Sequence, residues 1–249
     1  MSSRRIPHIL TAPLAVLLIA AASLVGCTSA EQRAREDKDR RDIRRLLRGV
    51  RGAILSGNRD AWLASLHGSP MEKRFAAELF NLWQTSFRFR DAFIGAYGPQ
   101  AWRDLQDHRP TRVSVPPTPP GYWEEIAIRL KGDRARCETR YQIHMWWVDR
   151  LPQGWRIRAG DLLNQRSANL TPELITDHIL SARSTRYVTH TMMKELLDNP
   201  PPPHEQFIQA WKEARKRAVL QRRELGAFDA NVPVGSPAPT SQPSDPSER

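Results

Sequence analysis

The sequence predicts an α+β protein: N-terminal helices packed on a curved antiparallel sheet of at least a three-strand meander, with further helices after it. Two changes of period carry that prediction. Apolar residues recur every three to four positions between residues 43 and 97 and again from 204, whereas residues 122–159 alternate apolar and polar. Proline clusters at 110–120 and 200–203 separate these blocks. With 249 residues, 40% of them apolar, and a mean hydropathy of −0.57, the chain suits one compact domain with appendages and excludes a multi-span membrane protein. Two cysteines exclude a disulfide-stapled scaffold or a multi-cysteine metal cluster.

Taken in order, residues 28–42 (TSAEQRAREDKDRRD) are charged and nearly free of large apolar side chains, which predicts a tether leading into a helix. That helix shows one buried stripe at Ile43, Leu46, Leu47, Val50 and Ile54. Gly57-Asn58 ends it, and a shorter helix carries Ala61, Trp62 and Leu66. Ser69-Pro70-Met71-Glu72 combines a capping box with proline at the first helical position, so a long helix begins there and runs to Gly98-Pro99. A short helical piece with Trp102 and Leu105 follows, then a proline-rich loop over 106–121.

Residues 122–130 read as a strand and Lys131-Gly132-Asp133 as a tight turn. Residues 134–148 alternate without interruption and predict one long strand. Ala135, Cys137, Tyr141 and Trp147 then share a covered face, while Arg134, Arg136, Glu138, His144 and Trp146 share a wetter one. A third strand carries Trp155, Ile157 and Ala159. Thr171 caps another helix, whose STRYVTHT segment (184–191) is rich in β-branched and hydroxyl residues and invites a break. A last helix from about 204 to 225 buries Phe207, Trp211, Ala214 and Ala218, and residues 226–249 are predicted to be disordered. The resulting division is 1–26, 27–42, an α+β domain at 43–163, a helical extension at 164–225, and the tail.

The first block carries an export signal: Arg4 and Arg5, an apolar run from 9 to 25, and small residues before a cysteine. Leu24-Val25-Gly26-Cys27 resembles the lipobox of bacterial lipoproteins. That resemblance implies cleavage before Cys27, a diacylglyceryl thioether on its sulfur, and an amino terminus acylated with a fatty acid such as palmitate. Two or three acyl chains hold a protein durably at a bilayer where one does not. The expected location is the exported side of a bacterial membrane, inner or outer.

The formal charge of +11 fits nucleic acid in general, but an exported lipoprotein meets anionic headgroups and envelope polymers instead. The expected partners are therefore the membrane, through Cys27, and an anionic envelope polymer or a protein, with no nucleic acid.

Residues 54–66 (ILSGNRDAWLASL) and 129–157, with KGDRA at 131–135 and G-W-x-I at 154–157, resemble the NTF2-like, or SnoaL-like, superfamily. Members usually place a strand pair soon after the second helix, where this chain is strongly helical. The resemblance thus implies a curved antiparallel sheet on helices rather than a complete cone-shaped barrel. Enzymes of the superfamily, isomerases and dehydratases, use a tyrosine or protonated acid as oxyanion donor and a carboxylate or histidine as base.

Positions able to imitate that chemistry are Tyr141, Asp161 and His144, but Tyr141 and His144 point to opposite faces of a regular strand. Trp146, beside His144 on the wetter face, is the candidate exposed contact. The histidines show no metal-ligand spacing, and neither a phosphate loop nor a nucleophile elbow occurs. No catalytic residue, metal ligand or cofactor is expected. The sequence points to a tethered, non-catalytic binding module; the alternative is an NTF2-like small-molecule binder or enzyme with an aromatic-lined pocket.

Overall fold

The computed structural model describes residues 12–107, 113, 126–138, 145–163, 170–197 and 200–228. Its class is α+β: helices together with a five-stranded, mainly antiparallel sheet. The chain divides into two units, residues 1–45 and 46–249.

The first unit is helical wherever it is described, because α1 spans Ala12–Leu55 and enters the second unit. The charged segment 28–42, expected as a tether leading into a helix, is itself helical. Its charges support the helix, since they sit at helical spacing: Arg40 pairs with Glu36 and Asp37 at 3.5 and 3.3 Å, and Arg45 with Asp42 at 3.2 Å. Ile43, Leu47, Val50 and Ile54 are buried, as the stripe requires, and Leu46 is half-buried.

In the second unit, Gly57 takes φ 69° to turn the chain out of α1, and Asn58 caps α2 (Arg59–Ala64) by accepting the Ala61 N–H at 2.9 Å. Trp62 is buried against the next helix and donates from Nε1 to the Ala76 carbonyl at 3.1 Å. Leu66 leaves the helix for a two-residue strand, β1 (Leu66–His67).

The capping box then closes in both directions. The Ser69 N–H donates to Glu72 at 2.6 Å, and the Glu72 N–H donates to the Ser69 hydroxyl at 3.3 Å. α3 (Pro70–Asp107) has a non-helical joint at Gly98 (φ 84°, ψ 167°), with Pro99 opening the second stretch. Thus the stop read at Gly98-Pro99 and the short piece after it are both present.

The sheet contains β2 (Ala127–Lys131), β3 (Arg134–Glu138), β4 (Met145–Leu151) and β5 (Gly154–Arg158), in the order β1-β5-β4-β3-β2. β1 runs parallel to β5; every other pairing is antiparallel. The long strand expected over 134–148 is in fact two strands, since β3 and β4 pair with each other in a hairpin. Residues 122–125, and with them the start of the expected first strand, lie outside the described residues, as do 108–112 and 114–121 of the proline-rich loop.

After a 3₁₀ turn (Ala159–Leu163), α4 (Pro172–Leu197) runs unbroken through 184–191. Its hydroxyls fold back onto its own carbonyls: Ser184 to Ser181, Thr189 to Thr185 and Thr191 to Tyr187. Burial of Ser184, Val188 and Thr189 holds this stretch in place against its weak propensity.

α5 (His204–Leu220) buries the four residues expected of it, and a turn at Gln221 leads into α6 (Arg222–Phe228). Residues 226–228 are thus helical rather than part of a disordered tail; 229–249 lie outside the described residues. Phe89 and Phe93 of α3, Val188 and Met192 of α4, and Phe207 and Trp211 of α5 form one core cluster, with the Phe89 and Trp211 rings stacked at 4.8 Å. Arg183 of α4 reaches Glu78 of α3 at 2.6 Å.

Candidate functional site

Directly opposed residues of paired strands project to the same side of a sheet, so the register sorts the side chains. Leu66, Ile128, Leu130, Ala135, Cys137, Trp146, Val148, Trp155 and Ile157 occupy one side, together with Arg150, whose guanidinium lies over the Trp155 ring. Most of them are buried. The opposite side carries His67, Arg129, Lys131, Arg134, Arg136, Glu138, Trp147, Asp149, Leu151, Arg156 and Arg158. Among the described residues this side sets six cations against two carboxylates.

Those two carboxylates organise the face. Asp149, its side chain 13% exposed, holds Arg158 at 2.9 Å, His67 at 3.0 Å and Arg134 at 3.3 Å. Glu138, 10% exposed, holds Arg136 at 2.5 Å and Arg129 at 3.3 Å. The arginines reach outward from these anchors, with Arg129 75% exposed, Arg134 58% and Arg136 41%. All three approach their carboxylate through Nε, which orients the guanidinium plane by one edge.

Asp161 sits at the edge of this network. Its carboxylate accepts the Trp147 N–H at 2.7 Å, completing β4 where the β4–β5 ladder stops. Burial pushes this carboxyl above the usual range, against the pull of the Trp147 bond and of Arg158; Asp149 adds to the rise and His67 opposes it. On the other side of the sheet, burial pushes the Cys137 thiol up to about 12, which makes it an inert core residue.

Arg134, Arg136 and Glu138 lie on this face as the alternation predicts, and of the candidate site residues that are described, Asp161 lies beside the cluster and Trp146 does not. Tyr141 and His144 lie outside the described residues. Trp146 is not on the wetter face: the chain reverses between Glu138 and Met145, which resets the alternation and pairs Cys137 with Trp146 and Arg136 with Trp147. Trp146 is half-buried on the apolar side, and Trp147 takes the polar position expected of it. Cys27 has a helical backbone within α1.

His67, Asp149 and Arg158 escaped the sequence reading because they come from three strands and share no local motif. Among the described residues no group of three or more His, Cys, Asp and Glu is placed to hold a metal ion, and no helix is long and apolar enough to cross a membrane. No protein-family model, no curated protein and no solved structure matches the chain.

Proposed function

We propose that this chain is a lipid-anchored bacterial envelope protein, acylated on Cys27, whose α+β domain binds an anionic envelope partner without catalysis. One observation carries the binding half: a sheet face with six cations, its exposed arginines oriented by the nearly buried carboxylates of Glu138 and Asp149. Guanidinium groups held in a fixed plane recognise oxyanions in bidentate fashion. Support for the anchor comes from Leu24-Val25-Gly26-Cys27 following a basic and then an apolar segment. In this reading the N-terminal helices cover the apolar side of a curved sheet, as in the NTF2-like superfamily, and leave the basic side outward.

The test is binding of sodium polyphosphate to the full-length chain, against the variant Arg129→Glu, Lys131→Glu. Tight, salt-sensitive binding that the double variant loses is the expected result; equal binding by both proteins rejects the site. Intact-mass measurement of the native protein tests the anchor separately.

A second reading has its own observation. The His67–Asp149 pair at 3.0 Å and a neighbouring Asp161 driven toward its protonated form are the parts of an NTF2-like acid–base site. It requires the Asp161 carboxyl to titrate above its normal range and to respond to His67→Ala, which carbon-detected NMR measures directly.

A further inference from the structure

We infer that the anionic partner of the basic sheet face is the surface of an acidic phospholipid bilayer, so that the domain docks flat on the membrane. The inference rests on the reading of that face as an anion-binding surface and names its occupant. Arg129 stands opposite Arg136, and Lys131 opposite Arg134, on the β2–β3 hairpin. Opposed positions lie about 5 Å apart and alternate positions along a strand about 7 Å apart. Four cations therefore form a compact two-by-two patch, suited to several closely spaced anions rather than to one pocketed ion.

The same face also carries Trp147 and Leu151, both half-buried and so presenting part of their surface among the charges. Indole rings favour the headgroup level, and Lys and Arg beside them meet the negative surface potential of acidic lipids. A soluble acidic polymer gives the cations a counter-charge but nothing for the apolar part. A bilayer interface satisfies both.

The experiment reconstitutes the full-length chain into vesicles of phosphatidylcholine, or of phosphatidylcholine with phosphatidylglycerol, and follows reductive methylation of lysines by mass spectrometry. Lys131 reports on the face, while Lys212 and Lys216, both exposed on α5, serve as internal references. Docking slows Lys131 labelling only in the phosphatidylglycerol vesicles, leaves Lys212 and Lys216 unchanged, and disappears at high salt. Arg129→Gln lowers the protection about fivefold, the effect of one interfacial cation.

Equal labelling of Lys131 in the two vesicle types overturns the inference. Sodium polyphosphate added to the phosphatidylcholine vesicles separates the two levels. If it protects Lys131 where phosphatidylglycerol does not, the face binds anions but not the bilayer. If neither protects, the anion-binding reading falls as well.

Discussion

Replacing Asp149 with asparagine removes one charge from the centre of the sheet face while keeping shape and one acceptor. The structure sets the size of the effect. Arg158 reaches Oδ2 through Nε and Nη2 at 3.3 and 2.9 Å, a charge-assisted contact that contributes about 1.5–3 kcal/mol. His67 adds a contact at 3.0 Å, whereas the Arg134 pair, 58% exposed on the arginine side, contributes only about 0.2–1 kcal/mol. Because asparagine still accepts one hydrogen bond, the expected loss is about 2–3 kcal/mol, part of it from leaving Arg134 and Arg158 without their counter-charge.

In a chain of this size about 1 kcal/mol moves Tm by about 2–4 °C, so Asp149→Asn should melt about 4–12 °C below the parent. Calorimetry or circular dichroism reads this. Adding Arg158→Gln should recover part of the loss, because it removes a cation that no longer has its partner. A Tm drop smaller than about 2 °C, or strictly additive losses in the double variant, would refute the role given to Asp149 as organiser of the face.

Cys27→Ser should block acylation and leave an unprocessed chain, which intact-mass measurement and membrane fractionation detect; unchanged processing counts against the anchor. Asp161→Asn keeps an acceptor for the Trp147 N–H, whereas Asp161→Ala orphans it and should cost about 1–3 kcal/mol in chemical denaturation. Since the native carboxyl binds its proton more tightly than the unfolded one, its contribution is full at acid pH and is lost as pH rises toward the raised native value. Asp161→Asn should therefore flatten the stability–pH curve there. Cys137, with its thiol held at about 12, should resist alkylation at neutral pH in the folded protein and react fully only in denaturant.

Helical features were legible wherever the signal is local. The stripe at Leu47, Val50 and Ile54 is buried because a 3.6-residue period determines which residues share a side, and the Ser69–Glu72 box closes because both partners lie within one turn. The sheet was legible in kind but not in connection. Alternation over 134–148 looks the same whether the strand continues or doubles back, so the hairpin and the exchange of Trp146 for Trp147 left no mark in the pattern.

β1 is two residues long and pairs with distant β5, so no local pattern marks His67. The charged spacing of 36–45 held a readable helical signal in Glu36, Asp37, Arg40, Asp42 and Arg45.

Gly98 has a consequence for how the core is closed. At φ 84° and ψ 167° it kinks α3, and apart from the helix's own nearby backbone no heavy atom lies within 4 Å of the place a methyl group would occupy. Its backbone angles, not crowding, are what reserve this position for glycine. A joint built on glycine and proline lets a helix change direction sharply. The stretch after Gly98 is thus free to take its own direction, which brings Trp102 and Leu105 into the same core as Phe89 and Phe93.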